Sequence, residues 1–207
     1  MKYEWRKEEK RIYIPATKPE LVSIPALKFL TIRGKGDPNG EDFGNRVEVL
    51  YSLSYAIRMM PKKGFVPEGY FEYTVYPLEG LWDLSEEGRT KASLDKSQLI
   101  YTIMIRQPDF VTPEVFNKAL EITRRAKPNK LIDEVCFERI EDGDSVQMLH
   151  LGSYDDEKAS FDLMKVFIAK NGLRLKTIVH REIYLSDPRK SEPDKLKTIL
   201  RYMVEKE

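Results

Sequence analysis

The chain has 207 residues, of which 41% are hydrophobic and 33% are charged, which suits a folded globular protein and excludes a disordered one. The 35 basic and 34 acidic residues leave a net charge of +1, so there is no electrostatic reason to expect nucleic acid or a membrane surface as a partner. The single cysteine, Cys136, excludes an internal disulfide and favours a reducing compartment. The charged N-terminus has no apolar signal core and no apolar run is long enough to cross a bilayer, so we expect a cytoplasmic protein.

The first half of the chain predicts an N-terminal extension followed by a first module, at about 25–108. Residues 1–24 mix charge, aromatic rings and prolines, as an extension packed on a domain would. Alternation, helical spacing and turn residues then mark the elements of the module. They are a strand at 26–34, a helix at 41–60, a strand at 70–84 that breaks at Pro77, and a strand at 97–107.

The second half predicts a connecting helix at about 112–127, with Thr112 as its N-cap and Pro113 in its first turn. A second module follows at about 133–205. Its predicted elements are a hairpin over 134–154, a helix at 155–172, a strand at 173–186 and a last segment at 195–204. That last segment fits helix or strand by pattern, and its likeness to 99–106 favours a strand.

The two modules resemble each other in element order and in several short stretches, which indicates an internal duplication. One helix for every two or three strands, without strict alternation, predicts the α+β class with a mostly antiparallel sheet. We expect residues 25–207 to form a single domain, with its helices on one face of the sheet and a ligand groove on the other.

The stretch "HREIYLSDP" places a glutamate, Glu182, inside an apolar strand. Alternation puts His180, Glu182 and Tyr184 on one face of this strand. The apolar residues of the opposite face, which we expect to pack under the helices, are Val179, Ile183 and Leu185. Charged residues are seldom fully buried, so from the pattern alone the Glu182 face reads as a solvated surface.

Several short motifs resemble the GyrI-like small-molecule-binding domains. The two most specific are "LHLGSYDDE" at 149–157 and "REIYLSDP" at 181–188. The stretches "GKGDPNG", "PLEGLW", "IRQPDFVTPE" and "KTILRYMV" resemble a stand-alone subgroup of the same family. Together these matches run in order from about residue 26 to 204, which is nearly the whole chain.

This resemblance implies two strand-helix-strand-strand modules related by a pseudo-two-fold axis, with an aromatic groove and Glu182 near its centre. Relatives include effector domains of multidrug-sensing transcription regulators, a small gyrase inhibitor and hydrolases that open strained cyclopropane rings. No helix-turn-helix module is recognisable in this sequence, which weighs against a complete transcription regulator.

The resemblance also implies which residues form the site. Glu182 is predicted as the central carboxylate and general base, and Tyr101 as the catalytic acid. The predicted ligand-binding residues are Glu182, Trp82, Tyr184, Tyr101, His180 and Tyr73. Trp82, Tyr101 and Tyr73 fit ordinary core or sheet packing equally well. Glu79 is predicted to be a loop or surface residue.

Neither a metal nor a cofactor is predicted. Cys136, His150 and His180 show none of the paired spacings of a zinc site. We expect a cytoplasmic xenobiotic-binding protein, monomeric or homodimeric, whose partner is an aromatic or cationic small molecule and which hydrolyses electrophilic cyclopropane-type compounds. The alternatives are a protein-interaction module of the gyrase-inhibitor kind and an effector domain that acts with a separate transcription partner.

Overall fold

A computed structural model describes residues 2–207 and confirms the α+β class. The strands are β1 Glu20–Ile24, β2 Leu27–Lys35, β3 Leu78–Leu84, β4 Leu99–Gln107, β5 Cys136–Ile140, β6 Gly143–Leu151, β7 Leu173–Tyr184 and β8 Lys197–Lys206. The helices are α1 Trp5–Glu8, α2 Lys10–Tyr13, α3 Glu41–Met59, α4 Glu86–Arg89, α5 Pro113–Ala126 and α6 Glu157–Lys170. The order strand, helix, strand, strand occurs twice, as β2-α3-β3-β4 and as β6-α6-β7-β8, as the duplication predicts.

The chain divides into two compact units. The first contains Leu27–Leu78 and Leu84–Ile140 with the residues up to Glu4. The second contains Trp5–Ala26, Glu79–Asp83 and Glu141–Glu207.

In the first unit, β2 lies between β4 and β5 and pairs antiparallel with both. Helix α5 begins as predicted, because the Thr112 side chain accepts a hydrogen bond from the Val115 N–H at 3.3 Å and Pro113 stands in the first turn.

In the second unit, five strands run in the order β1-β6-β8-β7-β3, and each neighbouring pair is antiparallel. Helix α6 covers one face of this sheet. The apolar cluster between helix and sheet contains Val146, Met148, Met164, Ile168, Leu200, Tyr202 and Val204. These side chains exclude water from both elements, and their burial stabilises the helix against the strands.

The opposite face of the same sheet is covered by the N-terminal segment. The Tyr13 side chain is fully buried, and its hydroxyl donates a hydrogen bond to the Glu79 carboxylate. Backbone carbonyls of Arg11 and Ile12 accept hydrogen bonds from Gln147 and Arg201, which lie on β6 and β8. Both faces of these strands are therefore covered.

Three predicted elements differ from the structure. Residues 134–154 do not form a hairpin, since β5 pairs with β2 while β6 pairs with β1 and β8. The turn between them instead directs the buried carboxylate of Asp142 to Arg181 and Arg201. The strand predicted over 70–84 begins only at Leu78, and strand β1 lies inside the predicted extension.

The ambiguous last segment forms strand β8, as its likeness to the first module predicts. Within residues 2–207, no helix combines the length and the apolar character that crossing a membrane requires.

Candidate functional site

The set of alternate residues of strand β7 that points toward helix α6 changes along the strand. Leu173 and Leu175 pack against the α6 cluster, as strict alternation predicts. A register shift between Leu175 and His180 then reverses the alternation. Glu182 pairs with Leu200, a member of that cluster, so it lies on the α6 side. The predicted direction of Glu182, away from the helices, is wrong because of this irregularity.

Glu182 is the acceptor at the centre of a small hydrogen-bonded group. The Tyr184 hydroxyl donates to Glu182 Oε2 at 2.7 Å, and His180 Nε2 lies 3.0 Å from Glu182 Oε1. The Glu182 side chain is 12% exposed. Each carboxyl oxygen of Glu182 therefore has a hydrogen-bonding partner at a position largely removed from water, which keeps the group in a fixed orientation.

Trp82 extends this group from the neighbouring strand β3. Its Nε1–H donates to the Tyr184 hydroxyl at 2.8 Å, so the donors run from Trp82 through Tyr184 to Glu182. Gly80 pairs with Glu182 across the sheet and leaves room for the indole, because a Cβ at Gly80 would stand 2.6 Å from Trp82 Nε1. We call Trp82, His180, Glu182 and Tyr184 the Glu182 cluster.

Further aromatic rings surround the Glu182 cluster. The Phe161 ring of α6 lies edge-on to His180, with 4.7 Å between the ring centroids, and 5.2 Å from Tyr202. Tyr154, just before α6, lies edge-on to Tyr184 at 5.9 Å. Tyr154 is also 38% exposed, so this side of the cluster meets solvent.

A second carboxyl group, on Glu157, lies in the electrostatic range of Glu182. Burial, followed by the charges of Glu182 and Asp155, raises the pKa of the Glu157 carboxyl from 4.5 to about 9. Burial and then Glu182 raise the pKa of the Tyr184 phenol well above its ordinary value. Burial, then Glu157 and Glu182, raises the pKa of Tyr154 to about 12. Burial and nearby negative charge therefore favour the protonated form of Glu157, Tyr154 and Tyr184.

The sequence did not single out Glu157 or Tyr154. Both belong to the quoted "LHLGSYDDE" motif, but acids in the first turn of a helix are explained by the helix dipole. Strict alternation predicts that Glu182 lies on the face away from the helices, so the sequence pattern does not connect it with the start of α6. The pairing of Glu182 with Leu200 is the feature that places it on the same side of the sheet as α6.

The two remaining predicted ligand residues belong to the first unit. Tyr101 on β4 is buried, and its ring lies over Gly34 and edge-on to Phe43 at 5.1 Å. Tyr73 is buried among rings that include Phe110, at 5.9 Å. Their roles in binding or catalysis stay predictions.

A buried ionic network lies on the other face of the second unit. Arg181 contacts Asp142 at 2.6 Å and Glu79 at 3.0 Å, and Arg201 contacts Asp142 at 3.0 Å. All four side chains are only 2% exposed. The prediction that Glu79 is a surface residue is wrong, because Arg181 and the Tyr13 hydroxyl satisfy its carboxylate inside the protein.

No cluster of three or more potential metal-ligating side chains occurs within residues 2–207. His150 is buried and contacts the Ser160 hydroxyl at 2.9 Å and the Ser153 carbonyl at 3.0 Å. These contacts fasten the turn that carries Tyr154 to helix α6.

Comparison with known proteins agrees with this fold. The profile of the GyrI-like small-molecule-binding domain matches residues 17–203. A hydrolase from Listeria innocua is 41% identical, with a TM-score of 0.92 over 99% of this chain and 100% of its own. An uncharacterised conserved protein from the same organism is 42% identical, with the same TM-score and the same coverage.

A more distant structure, the C-terminal domain of EcmrR, shares the fold with 16% identity and a TM-score of 0.54, over 92% of this chain and 98% of its own. No match was found among curated proteins. The family profile and the two Listeria structures each cover most of the chain. The chain therefore belongs to the GyrI-like small-molecule-binding domain family.

Proposed function

We propose that this protein binds aromatic or cationic small molecules at the Glu182 cluster and hydrolyses those that carry a strained, electrophilic ring. The observation that carries the proposal is the Glu182 carboxylate, which is 12% exposed and oriented by Tyr184 and His180. A carboxylate in this setting attracts positive charge more strongly than one in water.

The aromatic side chains supply the second half of the recognition. Trp82 and Tyr184 lie beside the carboxylate, and Tyr154 borders it on the solvent side. Flat ring faces favour planar ligands, and their negative faces favour cations. A ligand with a delocalised positive charge would satisfy both features at once.

The hydrolytic part of the proposal uses the same carboxylate. Glu182 would accept a proton from a water molecule as the water oxygen bonds to a carbon of the strained ring. The ring carbon–carbon bond then breaks, and its electron pair moves into a conjugated carbonyl. The similarity to a Listeria innocua hydrolase over the full chain supports this proposal.

The test is incubation with a cyclopropane-bearing alkylator, followed by mass analysis of the products. We expect the wild-type protein to form the water adduct and Glu182→Gln to lose about a hundredfold or more of the rate, the range general-base catalysis supplies. The matched control is Glu192→Gln, an exposed glutamate on the loop before β8. Equal rates in wild type and Glu182→Gln would remove Glu182 from the mechanism.

A further inference from the structure

Strand β3 enters the second unit as a short stretch of chain, Glu79–Asp83. Within it, the residues from Glu79 to Trp82 pair with β7. Backbone hydrogen bonds can form in more than one register, so a ladder this short needs side-chain contacts to hold its position along β7. The side chain of Glu79 provides such contacts.

Both oxygens of the Glu79 carboxylate are held from outside β3. Arg181 Nη1 donates to Oε2 at 3.0 Å, and the Tyr13 hydroxyl donates to Oε1 at 3.3 Å. Arg181 is the diagonal neighbour of Glu79 on β7, since Glu79 pairs with Ile183 and Leu81 pairs with Arg181. The carboxylate therefore ties β3 both to its neighbouring strand and to the N-terminal segment.

Any other register of β3 would break these contacts. A shift of one residue would turn Glu79 toward the face covered by α6, and a shift of two would move it by about 7 Å relative to Tyr13 and Arg181. The network would then hold the guanidinium groups of Arg181 and Arg201 against the Asp142 carboxylate, at positions only 2% exposed. Uncompensated charge at such positions is costly, so the network favours the observed register.

The register held by Glu79 decides where Trp82 lies on the opposite face. Strand alternation directs Glu79 to the ionic network and Trp82 to the Glu182 cluster. The Trp82 Nε1–H reaches the Tyr184 hydroxyl at 2.8 Å while Trp82 is paired with His180. A displaced β3 would carry the indole away from this hydroxyl.

We propose that Glu79 is a positioning residue for ligand binding. Together with Tyr13 of the N-terminal segment, it fixes β3 against β7 from the network face and so sets the Trp82 ring beside the Glu182 carboxylate. Glu79 acts through Trp82 and does not touch the ligand. The inference rests on ligand binding at the Glu182 cluster, as proposed above, and it makes the N-terminal segment a determinant of affinity.

The first measurement needs no ligand. The indole N–H resonances of the isotope-labelled protein come from Trp5 and Trp82, and Trp82→Leu assigns them. We expect Glu79→Ala to shift or broaden the Trp82 resonance, because the indole loses its fixed place against the Tyr184 hydroxyl. Val146→Ala removes buried volume from the cluster under α6, on a strand separated from β3 by β8 and β7, and should leave that resonance unchanged.

The second measurement is the affinity for a planar aromatic cation, by calorimetric titration. Glu79→Ala should raise Kd by about threefold to thirtyfold, the range that a contact between a ring and a cation supplies. In a Trp82→Leu background, Glu79→Ala should raise Kd by less than about twofold further, because the side chain through which Glu79 acts is already absent. Glu205→Gln removes the exposed partner of Arg174, which is also on β7, and should leave Kd within about twofold of wild type.

Two further points make the outcome decisive. Glu79→Ala weakens a buried network, so its unfolding midpoint is measured first, and Tyr13→Phe replaces it, with the same expected direction, if it does not fold. An unchanged Trp82 resonance and Kd in the folded variant, or equal increases in Kd with and without Trp82, would overturn the positioning role. If wild type binds no aromatic cation, the proposed function fails, and the Trp82 resonance of the ligand-free variants still decides whether Glu79 fixes Trp82.

Discussion

The Tyr184 hydroxyl links two strands by donating to Glu182 while it accepts from Trp82. Tyr184→Phe keeps the ring but removes the hydroxyl, so the Trp82 N–H and the Glu182 carboxylate each lose a hydrogen bond at a largely buried position. We expect the free energy of unfolding to fall by about 1–3 kcal/mol, the cost of unsatisfied buried polar groups. Urea unfolding measures it.

The matched control for Tyr184→Phe is Tyr55→Phe, at a tyrosine that is 48% exposed. Loss of that hydroxyl should change the unfolding free energy by less than about 0.5 kcal/mol. Equal effects of the two substitutions would mean that the Tyr184 hydrogen bonds contribute no net stability.

At the scale of single residues, alternation predicts that His180, Glu182 and Tyr184 share one side of their strand, and the structure places them together. Trp82 joins them from β3, as the family resemblance implies. Glu157 was beyond prediction because its distinguishing feature is an unsatisfied oxygen beside another carboxylate. That feature depends on which elements meet in three dimensions.

At the scale of elements, strand β3 can place the Trp82 indole against its own backbone only because residue 80 is a glycine. A Cβ at Gly80 would stand 2.6 Å from Trp82 Nε1, closer than packed atoms allow. Gly80→Ala should therefore displace the indole and lower the unfolding free energy by about 1–3 kcal/mol, as overpacking does. Urea unfolding and the tryptophan emission maximum together report both effects.

The same substitution inside helix α3 provides the control. A Cβ added at Gly44 would meet no atom within 4 Å. Gly44→Ala should stabilise the protein by about 0.5–1 kcal/mol, because alanine loses less backbone entropy in a helix. A fall in the unfolding free energy for Gly80→Ala together with a rise for Gly44→Ala would support a steric conflict between a Cβ at Gly80 and Trp82. A rise for both substitutions would contradict it.

Two predictions about elements are wrong, the side to which Glu182 points and the hairpin over 134–154. Both depend on contacts between elements, which a local sequence pattern does not reveal. Alternation assumes an unbroken register, and the irregularity between Leu175 and His180 occurs in "LKTIVH", which holds no glycine or proline to announce it. The predicted hairpin assumes that a turn pairs its flanking strands. Here Asp142 in that turn is instead held by Arg181 and Arg201.

At the scale of the whole molecule, the second unit is assembled from three distant stretches of the chain, at 5–26, 79–83 and 141–207. The buried ionic network joins two of these stretches, because Arg181 of 141–207 contacts Glu79 of 79–83 as well as Asp142 of its own stretch. The α+β class and the duplicated element order were predictable because they follow from local patterns. The network was not, because nothing local distinguishes its charges from surface charges.

The network should make stability depend on acid pH. Burial alone would raise the pKa of Asp142, but the guanidinium groups of Arg181 and Arg201 outweigh burial and lower it. The stabilising effect of an ionised Asp142 is therefore present above the unfolded pKa of about 3.9 and is lost as the pH falls through the lower, folded value.

Asp142→Asn removes the charge that both guanidinium groups face. We expect it to lower the unfolding free energy at pH 7 by about 3–5 kcal/mol, the usual cost of breaking a buried ion pair. The difference from wild type should shrink in strongly acidic buffer. Asp144→Asn, at an exposed position two residues away, serves as the control. An Asp142→Asn effect that stays constant from pH 7 into strong acid would contradict the account.

Binding of aromatic cations to the Glu182 cluster can be measured by fluorescence titration of the protein in a Trp5→Phe background. The sequence has two tryptophans, and replacing Trp5 leaves Trp82 as the sole source of tryptophan fluorescence. With a planar aromatic cation we predict saturable quenching, and a Kd about tenfold or more higher in Glu182→Gln, because charge-assisted contacts contribute about 1.5–3 kcal/mol. Quenching that does not saturate, or an unchanged Kd in Glu182→Gln, would contradict the account.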